Sequence, residues 1–171
     1  ANSINITVGG ILGTLRAGTM AYCYMICELK LTNSTSKTNA EVKFAGLIGY
    51  CEPTTSLNIQ NSYTKVSAVI NNYSDKSIYQ LVGTYSNITK IQNVYYFANA
   101  YCVRDGQQEE IVIPVSSKSE LKDSVKSYTS VDQELLNNLN NNTSTNKFQL
   151  TASGITLIWQ TTQETEWQQH V

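Results

Sequence analysis

The chain has 171 residues, a formal net charge of −1 and charged residues at only 15% of its positions. This length suits one domain, with or without an extension, and allows one sizeable core. The near-neutral charge gives no electrostatic reason to expect nucleic acid or an anionic membrane as a partner. No apolar run approaches the roughly 20 residues of a membrane-spanning helix, so we expect no membrane span.

The N-terminal stretch NSINITVGGILGTL has the pattern of a half-buried strand, because apolar side chains alternate with Asn5 and Thr7. Gly9 and Gly10 supply a flexible or closely packed point. Such a strand can lie in the sheet of its own domain, or it can complete the sheet of a neighbouring subunit as a donor strand. We predict the donor arrangement, with a donor strand and hinge over residues 1–15 and a β-sandwich body over 16–171. The predicted donor residues are Ile4, Ile6, Val8, Ile11 and Leu12.

Further strands are predicted along the rest of the chain. In the strand predicted over 21–32, Cys27, Leu29 and Leu31 face one way and Glu28 and Lys30 the other. Residues 42–51 are a plausible hairpin partner, with a bulge at Gly46 or Gly49. Asp105-Gly106 predicts a hairpin turn, and a last alternating pair of segments lies on either side of Gly154. Additional strands are expected over 64–70, 77–85 and 93–104. We find no internal repeat and no linker that would divide the chain.

Two segments interrupt the strand pattern. SKSELKDSV and SVDQELLNNL each begin with Ser followed three residues later by Glu or Gln, the signature of a capping box. The predicted fold is therefore all-β, an immunoglobulin-like or jelly-roll-like β-sandwich with an N-terminal donor strand and one or two short helices.

Four cysteines, Cys23, Cys27, Cys51 and Cys102, allow three pairings. On one strand, Cys23 and Cys27 would point to the same face roughly 13 Å apart, too far to bond each other. We expect each to pair with Cys51 or Cys102 and leave the connectivity open. Buried thiols are the alternative.

Export of the chain is suggested by its first residue and its sequons. It begins with Ala1, as it would if a signal peptide had been removed. Asn-x-Ser/Thr sequons predict N-linked glycans, mostly at turn-like places. The six sequon residues are Asn5, Asn33, Asn72, Asn87, Asn141 and Asn142.

The chain lacks the residues that catalysis usually needs. Its only histidine is His170, so we expect no catalytic triad, no zinc site and no other cofactor, and we predict that it is not an enzyme. A carbohydrate-binding or adhesive module is the alternative function, because aromatic side chains can stack on sugar rings. The candidates are Tyr95, Tyr96, Trp159 and Trp167.

Low charge, many sequons, few cysteines and an apolar N-terminal strand around Ile4 to Leu12 resemble the thread-filament subunits of thermoacidophilic archaea such as Sulfolobus. In that family, the N-terminal strand of one subunit inserts into the next, and the surface is heavily N-glycosylated. The resemblance implies an extracellular, cell-surface homopolymer, helical or linear, that serves adhesion or biofilm formation. Identical subunits would be its main partners, with glycan or cell-surface contacts in addition. A viral coat or surface-layer subunit is a related alternative.

Overall fold

The chain winds into successive coils, and strands of one coil pair in parallel with strands of the next coil. The computed structural model describes residues 5–32, 38–51, 57–71, 73–84, 88–109, 125–141 and 143–158. The first coil of the chain contains β1 (Asn5–Gly9), β2 (Leu12–Leu15), β3 (Gly18–Ala21) and β4 (Tyr24–Thr32). The second coil contains β5 (Thr38–Ala45), β6 (Ile48–Cys51) and β7 (Leu57–Asn71). The third contains β8 (Tyr73–Tyr79), β9 (Val82–Thr84), β10 (Ile88–Phe97) and β11 (Cys102–Arg104).

The coils stack into three parallel sheets. Sheet A has the order β1-β5-β8, and sheet B has the order β2-β6-β9. In sheet C, β7 lies at the centre, with β3 and β4 along one edge and β10 and β11 along the other. The remaining elements follow the third coil: β12 (Gln107–Glu109), β13 (Val125–Tyr128), a helix α1 (Gln133–Leu139), β14 (Phe148–Thr151) and β15 (Gly154–Leu157). β13 extends sheet C by pairing in parallel with β10.

The sheets form two facing layers with a core between them, which confirms the predicted all-β, sandwich-like class. Sheet B packs on the first half of sheet C around Met20, Ile48, Ile59, Leu81 and Val94. Sheet A packs on the second half around Phe44, Val66, Ile70 and Ile78. Along β4, half-buried and exposed side chains alternate from Met25 to Thr32, as the period-two pattern predicts.

Two expectations from the sequence are corrected. The strand over 21–32 has no hairpin with 42–51, because β4 pairs in parallel with β7 while β5 pairs with β1 and β8. The chain also contains a structural repeat, since Leu12, Ile48 and Val82 occupy one register position in three successive coils. The predicted bulge near Gly46 is a corner between sheets A and B.

Glycines at this corner allow the coils to approach closely. A Cβ on Gly10 would lie 2.4 Å from the Gly46 carbonyl oxygen, and one on Gly46 would lie 2.2 Å from that of Gln80. Both distances are far shorter than a non-bonded contact allows. The third coil has Gln80 at this position, where the described residues contain no further coil above it. A side chain is therefore tolerated there.

A second repeated feature is a bend in sheet C. Tyr22, Asn61 and Asn93 share one register position, and each has a positive φ, of 56°, 44° and 54° respectively. Asparagine tolerates this left-handed conformation better than most residues. The bend lies where sheet C passes from packing on sheet B to packing on sheet A.

The helix and the last hairpin cover the outer face of sheet C. Asp132 is the N-cap of α1 and accepts a hydrogen bond from the Leu135 N–H at 3.0 Å, so the helix predicted near Ser130 is confirmed with a different cap residue. β14 and β15 form the antiparallel hairpin expected around Gly154. The other predicted helix, in SKSELKDSV, lies outside the described residues except for Val125, the first residue of β13. Together α1 and the hairpin bury an outer cluster that includes Tyr63, Leu135, Leu139, Phe148 and Ile155.

Candidate functional site

The N-terminal strand lies at the edge of its own sheet A. β1 pairs in parallel with β5 from Asn5 opposite Glu41 to Gly9 opposite Ala45. Its backbone therefore lies in the sheet of its own domain, the first of the two arrangements left open by the sequence, and donor insertion into a neighbour stays a prediction. Of the predicted donor side chains, Leu12 packs against the core, whereas Val8 and Ile11 are 41% and 38% exposed. Ile4 and the side chain of Ile6 lie outside the described residues.

The first coil presents one edge of the coil stack. Among the residues that the structure describes, β1, β2 and β4 each pair on one side only, with β5, β6 and β7 respectively. This coil also carries Ile26, which at 52% exposure is the most exposed large apolar side chain of the described chain. Unpaired edges with apolar side chains favour pairing with a further strand.

The two charged residues of β4 lie in the second half of the strand. Lys30 Nζ lies 3.0 Å from a Glu28 carboxylate oxygen, and the Tyr101 hydroxyl donates to the other oxygen. The Tyr101 hydrogen bond, followed by the contact with Lys30, lowers the pKa of Glu28, so this carboxylate is charged at neutral pH. The first half of β4, with the residues just before it, is uncharged from Tyr22 to Cys27.

The opposite end of the stack contains β13 and a groove. β13 pairs with β10 from Val94 opposite Val125 to Phe97 opposite Tyr128. A groove of about 380 Å³ lies between this strand pair and α1. Consecutive residues from Lys126 to Ser130 form one wall, and Glu134, Leu135 and Asn138 of the helix form the other. The capping pattern predicted the helix, but no sequence signal placed it beside β13.

An aromatic column connects the two ends on the outer face of sheet C. Tyr24, Tyr63 and Tyr95 occupy one register position in the three coils, and Lys126 follows them on β13. The Tyr24 and Tyr63 rings are stacked, with centroids 5.3 Å apart and planes 8° apart. The Tyr63 hydroxyl donates to the Ile155 carbonyl at 2.5 Å, which fixes the hairpin to the column. Burial raises the pKa of Tyr63 and of Tyr128, so both phenols are protonated at neutral pH.

Comparison with known proteins gives no match. No family model matches the chain, and neither a curated protein nor a solved structure is significantly similar to it. No helix of the described chain is both long and apolar enough to cross a membrane. The functional assignment therefore rests on the two coil ends and the groove between β13 and α1.

The residues predicted for sugar stacking are dispersed. Tyr95 contributes to the groove, but it is only 5% exposed and does not present its ring face. Tyr96 is half-buried on β10, and Trp159 and Trp167 lie outside the described residues. Within the described ranges, no three His, Cys, Asp or Glu side chains lie close enough together to hold a metal ion.

The cysteines with described side chains are thiols. Cys23 and Cys27 are half-buried and Cys102 is buried. Cys27 and Cys102 lie on strands at opposite edges of β7, next to Val66 and Ala68, so two strand spacings of about 4.8 Å separate them. That separation exceeds the Cα distance of a disulfide. The side chain of Cys51 lies outside the described residues, as do the predicted pairings that involve it.

Among the sequon asparagines, only Asn141 has a described side chain, which is exposed in the turn after α1. Its backbone carbonyl accepts hydrogen bonds from the side-chain amides of Asn61 at 3.0 Å and Asn93 at 3.3 Å. The Asn61 amide also donates to the Leu139 carbonyl at 2.6 Å. The bend asparagines thus hold the C-terminal end of α1, a role that the sequence pattern did not reveal. The other sequon side chains lie outside the described residues, and glycosylation stays a prediction at all six sites.

Proposed function

We propose that the chain is a structural subunit of an extracellular, N-glycosylated filament that assembles head to tail and serves surface adhesion. The observation that carries this proposal is the position of β1 at an edge of the coil stack, with Val8 and Ile11 exposed beside it. Low charge and the sequons support an extracellular setting, in line with the resemblance to thread-filament subunits.

Parallel pairing makes the two ends of the stack different but complementary. Every strand of sheets A and B runs in the direction of its neighbours. In sheet C, β13 extends the same parallel pairing one strand beyond the third coil. The first coil of one subunit can therefore follow this last strand of another and continue the parallel pairing. Such a contact is heterologous, and because it does not close on itself it generates an open chain of subunits. It also covers edges that would otherwise pair without control.

The expected strength of this contact suits reversible assembly. About ten new ladder hydrogen bonds would contribute on the order of 10 kcal/mol, at about 1 kcal/mol each. Burial of the exposed apolar side chains of the first coil would add about 1.5–3 kcal/mol per side chain. Association costs of about 4–15 kcal/mol oppose these terms. Because the edge strands are already ordered in each subunit, we expect assembly that depends on protein concentration.

Electron microscopy and sedimentation velocity of the native protein test this proposal. We expect filaments, and a mass that rises with concentration without stopping at a dimer. Val8→Lys places a charge on the edge strand and should reduce assembly at least about tenfold, whereas Leu150→Lys, a matched change on the exposed hairpin, should not. A chain that stays monomeric at all concentrations would overturn the proposal. A density trace in which residues 5–9 leave their own sheet would identify the contact as strand insertion.

A further inference from the structure

The groove between β13 and α1 has the features of an acceptor for one more strand of sheet C. We propose that it receives the start of β4 from a second copy of this chain, an inference that rests on the proposed filament function. The groove is lined by the five consecutive residues from Lys126 to Ser130, by Tyr95 on β10 and by α1. It lies along β13, which is the edge strand of sheet C in the described chain. The added strand would pair with β13 and lie beside Glu134 and Asn138 of α1.

The register of sheet C determines which residues would meet. Within one chain, Tyr24, Tyr63, Tyr95 and Lys126 follow one another in a single column. If the second copy continues this column, its Tyr24 lies beside Lys126. Its Cys23, Met25 and Ile26 then lie beside Val125, Ser127 and Tyr128.

The same chain already contains the side-chain contact that this register requires. In the neighbouring column, Lys65 and Phe97 occupy adjacent strands, and the Lys65 Nζ lies 4.6 Å from the centre of the Phe97 ring. Lys126 beside Tyr24 of the second copy would repeat this pairing of a cation with an aromatic ring. Ile26 of the second copy, 52% exposed in the isolated chain, would be covered by Tyr128.

The charges at the two surfaces are compatible with this contact. The four residues of β13 would pair with the uncharged stretch from Cys23 to Ile26. Glu28 would lie beside Ser130 at the end of the groove, where its ion pair with Lys30 balances its charge. In the groove, the Asp132 carboxylate already accepts hydrogen bonds from the Leu135 N–H and the Ser130 hydroxyl. The Asp132 carboxylate would therefore keep its hydrogen-bond partners after docking.

A double-mutant cycle on the full chain tests the register. Ile26→Lys would place an ammonium group diagonally opposite Lys126 of the next subunit, within reach of a long side chain. We expect it to raise the subunit dissociation constant about tenfold or more, and Lys126→Glu to raise it about threefold. Together, Ile26→Lys and Lys126→Glu create an attractive pair across the junction, so the double variant should return to within about threefold of the unaltered chain.

Two control variants and the pattern of outcomes separate the explanations. Leu150→Lys and Lys90→Glu make the same charge changes at other exposed sites and should leave association unchanged. The acceptor groove would be overturned, and the filament function kept, if filaments still form and the loss of association free energy in the double variant equals the sum of the losses in the two single variants. Species that stop at a dimer and respond only to Ile26→Lys would indicate contact between two first coils. A monomeric unaltered chain would overturn both the groove assignment and the filament function.

Discussion

Gln80 completes the backbone hydrogen bonding of Val66 across the interior of the coil stack. Its side-chain Nε2 donates to the Val66 carbonyl at 2.9 Å, and its Oε1 accepts from the Val66 N–H at 3.1 Å. Val66 needs these partners because the third coil has two extra residues here, between the pairs Tyr96–Thr64 and Cys102–Ala68. A side chain of the third coil thus replaces the strand bonds that this bulge removes.

Replacing Gln80 by Leu should destabilise the fold, because it leaves the buried N–H and C=O of Val66 unpaired. Each orphaned group costs about 1–3 kcal/mol, so we expect the free energy of unfolding to fall by about 2–6 kcal/mol. Urea denaturation measures this change. Gln108→Leu, on the exposed strand β12, is the control and should change stability by less than about 0.5 kcal/mol. Similar losses for the two variants would contradict the role of Gln80.

Gly46→Ala should be strongly destabilising because its Cβ would lie 2.2 Å from the Gln80 carbonyl oxygen. Separating the coils at this corner should cost at least about 2 kcal/mol. Gly13→Ala is the matched control, since nothing lies within 4 Å of a Cβ built there. Thermal unfolding of the two variants compares them, and equal melting temperatures would show that the corner can relax.

Asn61→Ala should release the C-terminal end of α1. The substitution removes the hydrogen bonds to the Leu139 and Asn141 carbonyls and places Ala at a φ of 44°. We expect Asn61→Ala to lower the free energy of unfolding by about 2–4 kcal/mol. Asn61→Gly should show only the part due to the lost hydrogen bonds, because Gly adopts this φ without strain. Hydrogen exchange of the α1 amides reports the local effect. Unchanged protection of α1 in both variants would contradict the clamp.

Alkaline pH should unfold the protein through Tyr63 and Tyr128. Burial raises the pKa of both phenols in the folded state, so the folded chain retains protons that the unfolded chain releases. The contribution of these two phenols to stability is therefore constant below the ordinary tyrosine pKa of about 10 and falls above it, by up to about 1.4 kcal/mol per pH unit for each phenol. Urea titrations between pH 8 and pH 12 on a Tyr63→Phe variant should show a smaller slope above pH 10 than the unaltered chain. An equal slope would assign the alkaline loss to other groups.

Local signals in the sequence determined several elements of the fold. Asp105 and Gly106 adopt the positive φ angles of a hairpin turn, 47° and 80°, and the hairpin at Gly154 and the helix after Ser130 also form where local patterns predicted them. The helix cap is Asp132 instead of Ser130, because the Asp132 carboxylate reaches the Leu135 N–H and the Ser130 hydroxyl bonds to Asp132. Period-two alternation likewise indicated which faces are buried.

Only the tertiary structure decided which strands are partners. Alternation assigns a residue to a face of a sheet but contains no information about its neighbour, so the predicted hairpin between residues 21–32 and 42–51 is wrong. Identical residues do not mark the coil repeat, because its corner motif reads GILG, GLIG and QLVG, with a glutamine in the last described coil. The bend asparagines and the groove beside β13 depend on contacts between residues far apart in the chain, such as Asn61 with Leu139. Contacts of this kind form only once the coils have stacked, because the entropy cost of closing the intervening loops is not offset until both contacting surfaces have formed.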